Sequence, residues 1–180
     1  MVREVEGPTP SHSLRSSAIF GDPLVQELLA ARLVAVLTTL DPARAIHAVP
    51  LWFAADRESV LMATASRSRK VQNLERDSRA SLVVHDSRPG FEVCGVSIVG
   101  RIDVIRGLDA QTLIDRVHRR YVVEDSGRDA DVQKFLASDD VALRLLPDVA
   151  FTWDERQSTA SEVLRAIGGA LPLVPTDPRS

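Results

Sequence analysis

The residues best suited to chemistry lie in one short polar segment, from Thr64 to Asn73. Arginine offers a planar fork for phosphate oxygens and lysine a point charge, while hydroxyl groups add neutral donors. The segment also leads into a predicted helix, whose free amide groups favour an anion. This composition predicts a phosphate-binding site; a solvated helix start, with its cations facing water, is the alternative on spacing alone. The candidate side chains are Thr64, Ser66, Arg67, Ser68, Arg69 and Lys70.

Two predicted elements position this segment. An apolar run from Ser59 to Ala65 predicts a strand that ends where the polar residues begin. Val71 and Leu74 then lie three residues apart among charged residues, which predicts a helix over Ser68 to Arg76, with Ser68 as its cap. We therefore expect a strand, a polar turn and a helix in immediate succession.

Six β-branched and apolar runs predict strands, and the turns at 41–44 and 56–58 are too short for crossover helices. The early sheet is therefore expected to be antiparallel. Gly95 and Gly100 would let the longest strand bend, and Pro147 is expected at an edge or bulge. A mainly β fold with α insertions, closed as a small antiparallel barrel, is favoured over an open sheet covered by helices. The predicted strands are 33–40, 46–54, 59–65, 80–85, 91–105 and 141–153.

The 180-residue chain is expected to form one domain with flanking segments. Residues 1–21 lack a helical or strand period and are predicted to be a flexible arm, so structure should begin with a helix capped by Asp22. The domain spans 22–154, with further helices opened by Asp109 and over 132–136. Residues 155–180 form a partly flexible extension, with a possible helix at 161–167.

Composition excludes several classes of protein. A net charge of −3 gives no global attraction to nucleic acid or anionic membranes, and stacking aromatics do not alternate with the arginines near Lys70. The longest apolar stretch, 163–174, is too short to span a bilayer, and the start has no signal-like run, so a cytoplasmic protein is expected. A single cysteine and the absence of ligand spacing argue against disulfides and metal sites.

Trp52 supplies a possible wall for a planar ligand near the polar segment. It lies on the predicted strand two elements before that segment, and aromatic walls with few polar groups are typical of ligand pockets. A plain packing role is the alternative for Trp52, as it is for Trp153.

Five motifs in this order resemble the pyridoxamine 5′-phosphate oxidase-like split-barrel superfamily, and within it the flavin/deazaflavin oxidoreductase branch. The similarity covers about 25–153 and is strongest at Ser68-Arg69-Lys70. It implies a six-stranded split barrel and a homodimer that binds FMN, or the deazaflavin coenzyme F420, in a groove shared by two subunits. The motifs are Pro50-x-Trp-Phe, the Thr64 to Leu74 segment, Arg79-Ala-Ser-Leu-Val-Val, Gly100-Arg-Ile-Asp-Val and Phe151-Thr-Trp-Asp.

The resemblance also implies roles for individual residues. Thr64 would lie near the ring of the cofactor, Asn73 would support the turn, and Trp153 would reach the cofactor from the neighbouring subunit. The cofactor performs the hydride transfer, so no catalytic residue is assigned. The oxidase has a glutamine near the position of Gly95, so oxidation of pyridoxamine phosphate is not expected. The ring-binding residues would be Val49, Pro50, Leu51 and Trp52, and the phosphate-binding residues Ser66, Ser68, Arg69 and Lys70.

These observations favour an F420-dependent reductase of a small conjugated substrate. The alternatives are an FMN-dependent oxidoreductase of the same fold and a flavin- or haem-binding protein without turnover. A nucleic-acid module that uses Arg67, Arg69, Lys70, Arg76 and Arg79 is disfavoured by the negative net charge.

Overall fold

The computed structural model describes residues 12–88, 92–122 and 139–157. Within them, the predicted strands are confirmed to within two residues at most ends, and the predicted helices at Asp22, Ser68 and Asp109 are present. The elements are β1 (His12–Arg15), α1 (Ser16–Ile19), α2 (Pro23–Ala30), β2 (Ala35–Leu40), β3 (Ile46–Leu51), β4 (Phe53–Ala55), β5 (Val60–Ala65), α3 (Arg69–Arg76), β6 (Arg79–Arg88), β7 (Glu92–Ile105), α4 (Leu108–Tyr121) and β8 (Asp140–Asp154).

The strands form one antiparallel sheet in the order β3-β2-β6-β7-β8-β5-β4, and β1 pairs with β8 outside this path. The two end strands, β3 and β4, are joined by the single residue Trp52. The sheet must therefore curl until its ends meet, which makes a curled half-barrel. The described residues contain eight strands rather than the six predicted, because the predicted strand 46–54 breaks at Trp52 and β1 is additional.

The core lies inside this curl. Buried and half-buried residues alternate along β2, which directs Ala35 and Leu37 inward. Helix α2 covers the inner face with Val25 and Leu28, both buried. The Asp22 carboxylate accepts a hydrogen bond from the amide of Val25 at 3.0 Å, so the predicted cap starts this helix.

The β7–β8 pair bends where the glycine and proline pattern predicts. The pairing register shifts between Val99 and Gly100, and Gly100 lies opposite Pro147. A Cβ atom at residue 100 would lie 2.1 Å from the carbonyl oxygen of Leu146, so only glycine permits this close approach. The bulge confirms the predicted places of both Gly100 and Pro147.

Regular structure begins before Asp22, in part of the predicted arm. Strand β1 pairs with 149–152 of β8, and Ile19 in α1 is fully buried. The apolar side chain of Ile19 explains this difference, because its burial offsets the cost of ordering a short segment. Predicted helices at 132–136 and 161–167, and the extension beyond 157, lie outside the described residues. No helix of the described part is long and apolar enough to cross a membrane.

Candidate functional site

The polar turn between β5 and α3, residues 66–68, places Ser68 at the N-cap of the helix. Its backbone is extended, as expected for a cap, but its side chain makes no capping hydrogen bond. Ser68 Oγ is buried and has no hydrogen-bond partner in the described part of the chain. The predicted side-chain cap is therefore wrong, and the hydroxyl remains available to a ligand beside the free amides of α3.

Lys70 follows Ser68 by two residues in the sequence and is half-buried. Its Nζ donates a hydrogen bond to Oγ1 of Thr64 at 3.0 Å, and no described carboxylate pairs with it. Burial lowers the pKa of Lys70, although the charge of Asp140 acts in the opposite direction. A partly desolvated ammonium with one neutral partner favours binding of an anion.

Arg69 is held by an acidic residue that sequence reasoning treated only as a turn former. Its Nη2 lies 2.9 Å from Oδ2 of Asp41. Hydrogen bonds from the amides of Ala45 and Ala43, at 2.8 and 2.9 Å, fix that carboxylate and, with Arg69, hold its pKa below the usual value. The Arg69 side chain is still 61% exposed. One edge of the guanidinium is therefore anchored while the rest faces solvent.

Ser66 and Asn73 make internal contacts. Ser66 Oγ donates to Oδ2 of Asp139 at 2.5 Å, and the backbone amide of Ser66 donates to the carbonyl of the same residue. Asn73 is buried and donates to Oγ1 of Thr39 at 3.0 Å, which holds α3 against β2. The structure thus gives Asn73 a supporting position and leaves the Ser66 hydroxyl engaged.

The strand predicted to line the cofactor ring lies at the end of the sheet path. Val49 and Leu51 of β3 are half-buried, whereas Pro50 is exposed. Trp52 stacks on Tyr121 with ring centroids 5.0 Å apart and planes within 2° of parallel. Sequence reasoning did not identify Tyr121.

The ring of Tyr121 is fixed by backbone groups. Its hydroxyl donates to the carbonyl of Leu33 at 2.5 Å and accepts from the amide of Phe53 at 3.3 Å. Because Tyr121 is held at its polar end, it supports the Trp52 ring as a rigid aromatic wall.

Trp153 lies apart from the polar turn within one chain. It is thirteen residues further along β8 than Asp140, which neighbours the end of β5. Its ring packs on Gly95, where an added Cβ would lie 2.1 Å from Cζ2 of the indole. Glycine at residue 95 therefore leaves the space that the Trp153 ring occupies.

A buried pair lies behind the turn. His118 Nε2 of α4 is 3.6 Å from Oδ2 of Asp140, and both side chains are 7% exposed. Burial lowers the pKa of His118, and the charges of Asp140 and Asp115 oppose this. Since Asp140 also acts on Lys70, it couples the histidine to the candidate site.

The model of the family described as pyridoxamine 5′-phosphate oxidase matches residues 22–154. The chain belongs to this family. The family establishes a flavin-related oxidoreductase type of fold. No curated protein sequence matches the chain.

Several solved structures share the fold of this family member. The conserved hypothetical protein Rv2991 from Mycobacterium tuberculosis is 24% identical, with a TM-score of 0.58 over 71% of this chain and 80% of that one. A structure described as an F420 reductase is 20% identical, with a TM-score of 0.54 over 69% and 94%. A FAD-binding protein from Mesorhizobium loti is 18% identical, with a TM-score of 0.54 over 80% and 98%.

The donor set of the turn fits the phosphate of the flavins that this family binds. Among the described residues Ser68 Oγ has no partner, Lys70 is half-buried, and Ser68 lies at the N-cap of α3. Hydroxyl, ammonium and helix-terminal amide groups are donors of the kind that bind anions. Ser66 is the exception, because its hydroxyl already donates to Asp139.

Proposed function

We propose that the chain is an F420-dependent oxidoreductase that transfers a hydride between the deazaflavin and a small conjugated organic substrate. The observation that carries the proposal is the buried, unpartnered hydroxyl of Ser68 at the start of α3. A buried donor without a partner costs free energy, which a bound phosphate oxygen would offset. Similarity to a structure described as an F420 reductase supports the choice of deazaflavin.

The chain contributes binding and orientation. Ser68 and Lys70 hold the phosphate, and the exposed edge of Arg69 contacts its outer oxygens, while Asp41 keeps that guanidinium in place. When bound, F420 supplies the hydride chemistry. Thr64 and the β3 residues lie along the ring, and Trp52, supported from behind by Tyr121, excludes water from one side.

The proposed functional unit is a cytoplasmic homodimer with the cofactor at the subunit interface. β3 exposes an apolar outer surface, with Ile46 76% exposed and Pro50 also exposed. Exposed apolar surface of this kind favours a subunit contact. Because Trp153 lies far along β8 from the polar turn, it would complete the site only from the partner subunit.

FMN is the second candidate cofactor. The similar FAD-binding protein favours it, since FMN and FAD share the flavin ring and its first phosphate. The same turn residues would hold either ligand, because the phosphate contacts do not depend on the ring nitrogen that distinguishes a flavin from a deazaflavin.

Titration of the purified protein with F420 and with FMN, followed by tryptophan quenching, tests the proposal. Replacing both Arg69 and Lys70 with alanine should weaken the preferred cofactor at least about 10-fold, because charge-assisted hydrogen bonds contribute about 1.5–3 kcal/mol. Arg79→Ala is the matched control, since Arg79 is an exposed cation paired with Asp77. The Arg79→Ala variant should bind the cofactor with the same affinity as the unmodified protein.

Two results would count against the proposal in different ways. Absence of saturable binding to both cofactors would remove the cofactor site itself. Tight binding without oxidation of reduced F420 across enones and quinones would leave the site but replace the enzyme with a flavin- or haem-binding protein.

A further inference from the structure

A cavity lies at the opposite end of β5 from the polar turn. It has a volume of about 590 Å³ and is bounded by α2, the end of α1 and the turn between β4 and β5. That volume suits a small organic ligand. Since β5 has six residues, about 17 Å of strand separates this cavity from the candidate phosphate site. Its exposed apolar surface comes from Phe20, Ala30 and Ala55, because Val25 and Leu29 behind them are buried.

The cavity contains a cation that lacks an acidic partner. The guanidinium of Arg120 lies 4.6 Å from the centroid of the Phe53 ring and donates to the carbonyl of Ala31. None of the described carboxylates forms an ion pair with it. Burial lowers the pKa of Arg120, and repulsion from Arg32 acts in the same direction. The local surroundings are therefore short of negative charge.

A second cation lies at the rim. Arg57 lines the cavity from the β4–β5 turn and is exposed, and it has no ion pair within the described ranges. Two guanidinium groups thus border one apolar cavity. Such groups match the two oxygens of a carboxylate.

The acidic residue of the cavity wall does not neutralise these cations. Asp56 accepts hydrogen bonds from the amides of Ser59 and Glu58, at 2.7 and 3.0 Å. It also lies 3.7 Å from Arg116, outside the cavity. One carboxylate cannot balance two guanidinium groups, so the described lining keeps an excess of one positive charge.

We propose that this cavity binds a monocarboxylate with an apolar chain, of the medium-chain fatty acid or arylalkanoate class. The carboxylate pairs with Arg120 and Arg57, and the chain lies on Phe20, Ala30 and Ala55. The inference is independent of the proposed redox function, since none of these residues belongs to the phosphate turn.

Calorimetric titration of the full chain with octanoate and with octan-1-ol tests the charge requirement. Octanoate should bind saturably with a Kd below about 1 mM. Octan-1-ol should bind at least about 10-fold more weakly, because it lacks the charge-assisted hydrogen bonds. No saturable binding of octanoate, or equal affinity for both probes, would overturn the proposal.

Two variants locate the site. Arg120→Gln should weaken octanoate at least about 10-fold, with urea denaturation confirming that the protein is folded. Arg57→Gln leaves the fold intact, because this exposed side chain makes no described contact, and should weaken octanoate about threefold. Unchanged affinity in Arg57→Gln would contradict the assigned carboxylate position.

The phosphate-turn variant separates this inference from the proposed function. Replacing Arg69 and Lys70 with alanine should leave octanoate affinity within about twofold of the unmodified protein. A large loss would instead place the octanoate at the phosphate turn, and that result would overturn the second site.

Discussion

The turns at the two ends of β5 have similar compositions and different hydrogen bonding. The 56–59 turn is closed on itself, because Asp56 accepts from the amides of Glu58 and Ser59 and from the Ser59 hydroxyl. The 66–68 turn is open, because the buried Ser68 hydroxyl has no partner among the described residues. One turn satisfies its polar groups and the other leaves a donor for a ligand.

This contrast shows why residue type alone does not identify a binding site. Serine and arginine occur in both turns, and serine is common in ordinary turns. Native proteins leave few buried polar groups unsatisfied. An unsatisfied hydroxyl at a helix N-terminus therefore indicates a ligand more strongly than composition does.

The largest expected effect is on stability at the closed turn. Asp56→Ala removes the acceptor of several hydrogen bonds and leaves the amide and hydroxyl of the buried Ser59 without that acceptor, which should lower the free energy of unfolding by about 2 kcal/mol. Cofactor affinity should not change. Urea denaturation of Asp56→Ala and Glu58→Ala measures the loss of stability, with the exposed Glu58 as the control position. Equal stability of the two variants would contradict the contrast between the closed and the open turn.

The same carboxylate gives a pH dependence. Burial raises the pKa of Asp56, but hydrogen bonds from Glu58 and Ser59 and the charge of Arg116 outweigh it, so the net shift is downward. A lowered folded-state pKa stabilises the protein above the unfolded value, 3.8, and that stabilisation is lost as the pH falls through the folded pKa. The difference between Asp56→Ala and the unmodified protein should therefore shrink below about pH 4.

At the open turn the expected effect is on ligand affinity. Ser68→Ala breaks no hydrogen bond within the described chain, so its stability should stay within about 0.5 kcal/mol. Cofactor affinity should fall about fivefold, because a hydrogen bond to the phosphate contributes about 1 kcal/mol. Ser66→Ala is the comparison, since it loses the contact with Asp139 and should change stability more than affinity. The reverse pattern would assign the ligand to Ser66.

Local sequence patterns predicted where helix α3 starts and where the β7–β8 pair bends. Helix α3 begins one residue after the predicted start, and the bulge at Gly100 lies opposite Pro147 as expected. Both signals act over a few residues: the helical spacing of Val71 and Leu74 in one case, backbone freedom and a missing amide in the other. The break of the predicted strand at Trp52 escaped detection because the tryptophan fits a strand pattern equally well.

The contacts that define the site could not be predicted, because they join distant parts of the chain. Arg69 and Asp41 are 28 residues apart, and Ser66 and Asp139 are 73 apart. Only the curl of the sheet brings each pair together. Without it, Ser66 and Ser68 are equivalent serines in the sequence, and their different hydrogen bonding has no local signal.

The smallest predicted effect tests the buried pair behind the open turn. His118 has a folded-state pKa below its ordinary value of 6.5, because burial disfavours its charge more than Asp140 and Asp115 favour it. Below the ordinary value, the unfolded chain takes up a proton that the folded chain does not. The free energy of unfolding should therefore fall as the pH drops from about 7 through this window.

Urea denaturation of the unmodified protein and His118→Gln between about pH 7.5 and 5.5 measures this contribution, because the two proteins differ only at residue 118. The variant should lose less stability across the window than the unmodified chain. If both proteins lost stability equally as the pH falls, the pKa of His118 would be the same in the folded and unfolded states.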